Sequence, residues 1–142
     1  MNVPEKVITN DHFASYLETS DEWIRERTGI VERRWVEKGV GASELALPAA
    51  KKAIANAGLK SEHIDAIVFA TATPDYAFPS SACLLQSKLG IKKSCFSYDV
   101  NAVCSGFVYA ISTADSLIAR GTAKNALAVS YTHLTLPTIL LV

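Results

Sequence analysis

The chain has 142 residues, 14 basic and 14 acidic side chains, and a formal net charge of zero. This length predicts about one domain, and a neutral chain carries no general electrostatic signature of binding to nucleic acid or an anionic membrane. No apolar stretch reaches the roughly 18 residues of a membrane span, and the N-terminal residues lack the basic and apolar segments of a secretory signal. We therefore predict a cytoplasmic protein that binds neither nucleic acid nor membrane.

Local signals predict a short helix and an edge strand near the N-terminus. Thr19 and Glu22 fit the S/T-x-x-E capping box of a helix start, and Gly29 provides a stop, which places the helix at about residues 20–27. Residues 30–35 mix β-forming side chains with charges, a pattern typical of a strand at the edge of a domain.

A longer amphipathic helix is predicted at residues 43–57. Its apolar side chains recur at three- to four-residue spacing, Ser43 is the predicted N-cap and Gly58 the stop. Pro48 lies just past the first turn, where it removes one N–H donor without ending the helix.

The second half of the chain alternates strands and helices. Residues 66–71 (AIVFAT) form a continuous apolar run, as in a strand buried on both faces of a parallel sheet. The elements predicted after it are a helix capped by Ser80 or Ser81 and ending at Leu89, a strand at 95–100, a helix at 105–120 and a strand at 126–129. The order β-α-β-α-β predicts a layered α/β domain.

The helix predicted at 105–120 carries one apolar stripe and stops at Gly121. The stripe consists of Phe107, Ile111, Ala114, Leu117 and Ile118.

Cysteine and histidine spacing indicates neither a disulfide framework nor a metal site. The three cysteines, Cys83, Cys95 and Cys104, form no C-x-x-C pair and fit a reducing compartment. The three histidines, His12, His63 and His133, are too far apart to form a ligand set, so we assign them no role.

Cys104 is the candidate nucleophile, in the stretch DVNAVCSGF at residues 99–107. At the predicted first turn of a helix, free amides and the helix dipole favour a thiolate. Small neighbours, including Ser105 and Gly106, let backbone approach a developing oxyanion. The alternative is that Cys104 is a small buried hydrophobe, and we assign that packing role to Cys83 and Cys95. The residues alone leave both interpretations of Cys104 open.

Three stretches resemble one family, in its order and at its intervals. Residues 20–30 (SDEWIRERTGI), 72–91 (ATPDYAFPSSACLLQSKLGI) and 99–115 (DVNAVCSGFVYAISTAD) are similar to the N-terminal half of β-ketoacyl-acyl-carrier-protein synthase III. The resemblance covers nearly all of residues 2–129. It implies the thiolase-like fold, in which two β-α-β-α-β halves pack as α-β-α-β-α layers, and it implies a homodimer.

The resemblance also implies a reaction. Cys104 matches the catalytic cysteine, which takes an acyl group from acyl-CoA, with acetyl-CoA as the expected donor. The acyl group then condenses with malonyl-acyl-carrier protein, with loss of CO₂, to start fatty acid synthesis. Acyl-CoA is a substrate here, and no cofactor or metal is implied.

Four further residues receive roles from the same resemblance. Trp23, Arg27 and Thr28 match residues that hold the nucleotide end of CoA, and Phe78 matches an aromatic that reaches across the dimer to line the partner's acyl pocket. Without the resemblance, the residues favour Trp23 as a helix anchor and Arg27 as a solvated charge, and Phe78 is equally well a loop aromatic tucked against its own domain.

The chain departs from the family in two places. Asn101 and Val103 replace small residues beside the cysteine, and the larger Val103 predicts a smaller acyl pocket. Residues 130–142 do not continue the family pattern, so we expect residues 1–129 to be the N-terminal half of the enzyme and the tail to be a truncation artefact. Such a fragment lacks the histidine and asparagine needed for decarboxylation, and we expect no complete condensation from it.

Two alternatives stay open. One is another thiolase-like synthase, of the hydroxymethylglutaryl-CoA synthase or polyketide ketosynthase type. The other is a non-catalytic half-domain that binds CoA or dimerises.

Overall fold

The computed structural model describes residues 2–130, which divide into two compact units. The smaller unit contains residues 3–39, and the larger contains residues 40–130 together with Asn2. The predicted tail, with His133, lies outside the described residues except for Ser130, which closes the last strand. No helix within residues 2–130 has the length and apolar character to cross a membrane.

The smaller unit is a two-stranded sheet with two helices between its strands. Strand β1 (Lys6–Thr9) pairs antiparallel with β2 (Glu32–Trp35), and helices α1 (Asn10–Ala14) and α2 (Asp21–Thr28) lie between them in the chain. The edge strand predicted at residues 30–35 is therefore β2. The sequence analysis did not predict β1 or α1, which are four and five residues long.

The predicted cap of α2 is wrong by one residue. Ser20, not Thr19, is the N-cap, because its backbone is extended and its hydroxyl accepts a hydrogen bond from the Trp23 N–H at 3.1 Å. The hydroxyl of Thr19 is buried without a hydrogen-bond partner among the described residues. The predicted stop is confirmed, since Gly29 has a φ of 70° and its N–H donates to the Arg25 carbonyl.

The larger unit contains a parallel sheet in the order β4-β3-β5. Its strands are β3 (Ala66–Ala70), β4 (Phe96–Val100) and β5 (Ala126–Ser130), and its helices are α3 (Ala42–Asn56), α4 (Ser81–Lys88) and α5 (Gly106–Ala119). All five residues of β3 are buried, as the apolar run predicted. The predicted β-α-β-α-β order is confirmed.

The two faces of this sheet pack against different helices. Ile67 and Phe69 of β3 belong to the core cluster formed with α3 and α4, whereas Val68 and Ala70 belong to the cluster formed with α5. This alternation follows from the pleat of a strand, whose successive side chains point to opposite faces. The result is a helix layer on each side of the sheet.

The predicted N-cap of α3 is also displaced. Gly41 takes the cap position instead of Ser43, and Pro48 is accommodated inside the helix. Ser43 is fully buried and donates to the Asp75 carboxylate through both its N–H and its hydroxyl, each at 2.9 Å. A β-carbon on Gly41 would collide with the Asp75 side chain, so this close approach requires glycine.

The predicted apolar stripe of α5 is not the face that packs on the sheet. The buried residues of α5 are Gly106, Ala110 and Ala114, spaced by four, whereas Phe107 and Ile111 are about half exposed. Small side chains allow the helix axis to come closer to the strands than Phe or Ile would. Of the predicted stripe, only Ala114 is buried, Leu117 is partly buried against the same cluster, and the larger side chains face away.

Candidate active site

Cys104 lies in a single 3₁₀ turn between β4 and α5. The turn spans Val103–Ser105, and α5 follows it directly at Gly106. The cysteine therefore precedes the α-helix. The sequence-based prediction that Cys104 lies in the first turn of the helix is wrong. Cys104 is exposed, so the interpretation of this cysteine as a small buried hydrophobe is wrong. In open parallel sheets, this position beyond the carboxyl end of a strand is where ligands bind.

The packing of Gly106 brings this turn against the end of β3. Gly106 is buried, and a β-carbon added to it would lie 3.0 Å from the β-carbon of Ala70. Ala70 is the last residue of β3. The glycine after Cys-Ser thus lets α5 begin close to the sheet, which positions the Cys104 turn at the carboxyl edge.

Val103 holds an unusual backbone conformation next to the cysteine. Its φ is 44°, and it is the single non-glycine residue with positive φ among the described residues. A β-branched residue is disfavoured there because its β-carbon crowds the backbone. Such strained residues cluster at functional sites. Val103, which directly precedes Cys104, is 72% exposed.

The other two cysteines make contacts typical of structural roles. The Cys83 thiol donates a hydrogen bond to the Ser97 carbonyl at 3.3 Å, although the residue is exposed and not packed inside its helix as we had predicted. Cys95 is partly buried against the core, and burial raises the pKa of its thiol. Both groups lie near Ser97, which distinguishes them from Cys104.

Phe78 lies on a loop with a fixed base. The Asp75 carboxylate binds Ser43, and the Asp75 N–H donates to the Ser81 hydroxyl at 3.1 Å. Phe78 itself is 90% exposed. The interpretation of Phe78 as an aromatic tucked against its own domain is therefore wrong for this structure.

Asp99 opens the DVNAVCSGF stretch and caps a helix. Its two carboxylate oxygens accept hydrogen bonds from the N–H groups of Ser81 and Ala82, both at 2.8 Å. A carboxylate at this position satisfies free amides and complements the positive end of the α4 dipole. Sequence reasoning missed this role. The signal was an acidic residue inside the strand that precedes the cysteine.

Trp23 and Arg27 come together on α2, in the smaller unit. The guanidinium carbon of Arg27 lies 5.6 Å from the centre of the Trp23 ring, within range of a cation–π interaction. Trp23 is 54% exposed. Arg25 is paired with Asp21 at 2.6 Å, whereas no carboxylate within residues 2–130 pairs with Arg27. An aromatic face and a cation are thus both accessible on this helix.

Thr28 has a structural role at the end of the same helix. Its hydroxyl donates to the Ile24 carbonyl at 2.6 Å and accepts from the Ile30 N–H at 3.1 Å. With its proton used inside the helix, Thr28 can offer a ligand only an acceptor. The binding role that the resemblance implies for Thr28 stays a prediction.

Comparison with known proteins supports the resemblance to β-ketoacyl-acyl-carrier-protein synthase III. The family model for 3-oxoacyl-[acyl-carrier-protein] synthase III matches residues 98–135, which include Cys104. A β-ketoacyl-[acyl-carrier-protein] synthase III from Bordetella petrii is 52% identical over 132 residues, covering 89% of this chain and 40% of its own length. The chain matches the N-terminal part of the β-ketoacyl-acyl-carrier-protein synthase III family.

Solved structures of synthase III proteins confirm the thiolase-like fold of this chain. The β-ketoacyl-[acyl carrier protein] synthase III from Thermus thermophilus superposes with a TM-score of 0.83 at 44% identity, over 90% of this chain and 39% of that one. The priming β-ketosynthase of the R1128 polyketide pathway also superposes, with a TM-score of 0.80 but only 27% identity, over 85% of this chain and 36% of that one. The synthase III resemblance is therefore the stronger one. The chain spans about 40% of the length of the relatives that it matches.

Proposed function

We propose that this chain forms the acyl-accepting part of a β-ketoacyl-acyl-carrier-protein synthase III that acts in the cytoplasm at the start of fatty acid synthesis. Cys104 is the acyl acceptor, acyl-CoA the donor and acyl-carrier protein the partner of the second step. The observation that carries the proposal is the exposed Cys104 turn at the carboxyl end of β4, within the residues that the family model matches.

The first half of the reaction is a transfer between two sulfurs. The Cys104 thiolate attacks the thioester carbon of acyl-CoA, and a bond forms between the Cys104 sulfur and that carbon. The bond to the CoA sulfur breaks, and CoA leaves as a thiolate that takes up the proton lost from Cys104. The exchange is nearly balanced in energy because one thioester replaces another, so the acyl group remains transferable.

The second half of the reaction uses malonyl-acyl-carrier protein. Loss of CO₂ leaves a carbanion on the carrier-bound chain, which attacks the Cys104 thioester and releases the Cys104 thiolate. In the family resemblance, this step requires a histidine and an asparagine that have no counterpart in residues 1–129. We therefore propose that these 142 residues perform acyl transfer to Cys104 but not the condensation.

Two side chains of α2 fit the nucleotide end of CoA. The exposed face of Trp23 suits stacking against adenine, and Arg27 suits a phosphate group because a guanidinium presents several donors in a plane. Thr28 is assigned to the same ligand as an acceptor. We propose that CoA binds as part of the substrate and that the reaction needs no further cofactor.

Phe78 is proposed to act in a second copy of the chain. Its side chain is 90% exposed on a loop whose base is fixed by Asp75. Exposed aromatic side chains on rigid supports are typical of interface anchors. A homodimer in which Phe78 lines the partner's acyl pocket would cover this side chain.

The test is acylation of the 142-residue chain by acetyl-CoA, followed by intact-mass spectrometry and peptide mapping. We expect one added acetyl group on Cys104, none in Cys104→Ala, and unchanged labelling in Cys83→Ala and Cys95→Ala. Wild-type protein that stays unlabelled, while Cys104→Ala still binds CoA with the wild-type affinity, would support the non-catalytic CoA-binding half-domain instead.

A further inference from the structure

The side chain of Asn10 connects three segments of the smaller unit. Asn10 is fully buried at the start of α1. Its amide nitrogen donates to the Asp21 carboxylate at 2.8 Å and to the Ile30 carbonyl at 2.7 Å, and its amide oxygen accepts from Arg33 at 2.7 Å. Both amide protons and the oxygen are therefore engaged, so this buried polar group is fully satisfied.

The two donor bonds of Asn10 bracket helix α2. Asp21 is the first residue of the helix, and Ile30 follows its C-cap, Gly29. Bonds at both ends fix the position of the helix along its axis and its rotation about that axis. Asp21 and Ile30 lie 11 and 20 residues from Asn10 in the sequence, so one small side chain joins distant parts of the chain.

The other bonds around α2 are more exposed or more local. Arg25 pairs with Asp21 on the same helix at 2.6 Å, with half of the Arg25 side chain exposed. An exposed pair within one helix stabilises the helix weakly and does not position it against its neighbours. Arg33 also lies over the Phe13 ring at 4.4 Å, which fixes the guanidinium that binds Asn10.

We propose that Asn10 is a positioning residue for CoA, because it holds α2 so that Trp23 and Arg27 face the nucleotide together. This inference rests on the nucleotide site proposed above. Asn10 touches no substrate itself. Its removal changes the placement of the helix that does, and it leaves Cys104 in the larger unit unaffected.

The experiment compares Asn10→Ala with Asn125→Ala in the 142-residue chain. Asn125 is a matched control because its side chain donates one hydrogen bond, to the His63 carbonyl at 3.0 Å, in the larger unit. Three properties are measured: CoA affinity by calorimetry, hydrogen exchange of the α2 amides, and the alkylation rate of Cys104 by iodoacetamide.

We expect Asn10→Ala to weaken CoA binding about 10-fold, the factor that corresponds to one lost hydrogen-bond equivalent, and to speed α2 exchange. Cys104 alkylation should stay at the wild-type rate, which a general loss of folding would not allow. Asn125→Ala should change none of the three. Wild-type α2 exchange in Asn10→Ala overturns the inference.

A second variant covers the case in which Asn10→Ala unfolds the smaller unit. Asn10→Asp keeps the size of the side chain and the acceptor for Arg33, but it loses both donors to the ends of α2. Protected β1 and β2 amides with fast α2 exchange would confirm the positioning role, and protection of all three would overturn it.

Trp23→Ala separates this inference from the proposed function. If Trp23→Ala weakens CoA binding and Asn10→Asp does not, Asn10 has no positioning role while the nucleotide site stands. If Trp23→Ala binds CoA like the wild type, the proposed nucleotide site is wrong, and the role of Asn10 toward CoA is overturned with it.

Discussion

Val103 holds a strained backbone conformation beside Cys104, and relief of this strain should stabilise the protein. A non-glycine residue held at positive φ costs about 1–3 kcal/mol, whereas glycine there adds about 0.5–1 kcal/mol of unfolded-state entropy. We expect Val103→Gly to raise the free energy of unfolding by about 1 kcal/mol, the difference between these terms. Val103→Ala keeps the β-carbon and should change stability less. Urea unfolding of both variants measures the difference.

The same substitution tests whether strain presents the thiol. Glycine widens the conformations open to the turn, so acylation of Cys104 by acetyl-CoA should slow in Val103→Gly but not in Val103→Ala. A glycine variant less stable than the alanine variant would show that the turn is not strained. The prediction that Val103 narrows the acyl pocket would show instead as faster acylation of Val103→Ala by longer acyl-CoA donors.

Asp65 joins the amino ends of the three parallel strands, and this role makes the sheet sensitive to acid. The Lys93 ammonium and the N–H groups of Asn125 and Lys124 hold the pKa of Asp65 down to about 2, from its usual 3.8. A lowered folded-state pKa means that the ionised carboxylate stabilises the fold above pH 3.8 and that this contribution is lost as the pH falls toward 2.

Asp65→Asn should therefore destabilise the larger unit at neutral pH. We expect a loss of about 1–2 kcal/mol at pH 7, reduced from the full linkage value because Lys93 and Asp65 are partly exposed to solvent. The gap between variant and wild type should close as the pH approaches 2. Thermal unfolding of both proteins across this pH range measures the stability difference. A difference that is independent of pH would contradict the role of the ionised carboxylate.

Gly106 sets the distance between α5 and β3. A methyl group at this position should therefore weaken the packing of α5 on β3. Alanine favours a helix over glycine by up to about 1 kcal/mol, but its β-carbon would lie 3.0 Å from the β-carbon of Ala70, in a strand whose residues are all buried. We expect Gly106→Ala to lower the free energy of unfolding by about 1–3 kcal/mol and to slow acylation of Cys104. Val108→Ala, on the exposed side of α5, is the control. Equal stability of both variants would mean that the contact is loose.

At the scale of the whole chain, the outer side of α5 is apolar and uncovered. Its exposed side chains are Phe107, Val108, Ile111 and Ile118. An apolar surface of this kind marks an interaction site. We expect the 142-residue chain to self-associate as its concentration rises.

Ile111→Ser combined with Ile118→Ser should reduce this self-association. The expected result in size-exclusion chromatography with light scattering is a shift toward the monomer, and Val31→Ser, an exposed apolar position of the smaller unit, should produce none. Wild-type protein that remains monomeric at every concentration would show that the outer side of α5 does not mediate self-association.

The sequence by itself determined the features that depend on neighbours within about four residues or on unbroken burial. Gly29 as a helix stop, a serine at position 80 or 81 as the cap of α4, the buried strand β3 and the β-α-β-α-β order could all be predicted, because capping and apolar runs are local properties. Three long stretches in the right order also predicted the resemblance to synthase III that the comparisons bear out, and they made Cys104 the candidate nucleophile.

Only the tertiary structure decided which apolar residues are buried and which polar residues connect distant segments. Periodicity located the apolar side chains of α5, but the sheet accepts Ala110 and leaves Ile111 outside, because close packing depends on the opposing surface. Ser43, Asp99 and Asn10 bind partners 32, 17 to 18 and up to 23 residues away. No local pattern encodes such contacts, since they exist only after the chain has folded.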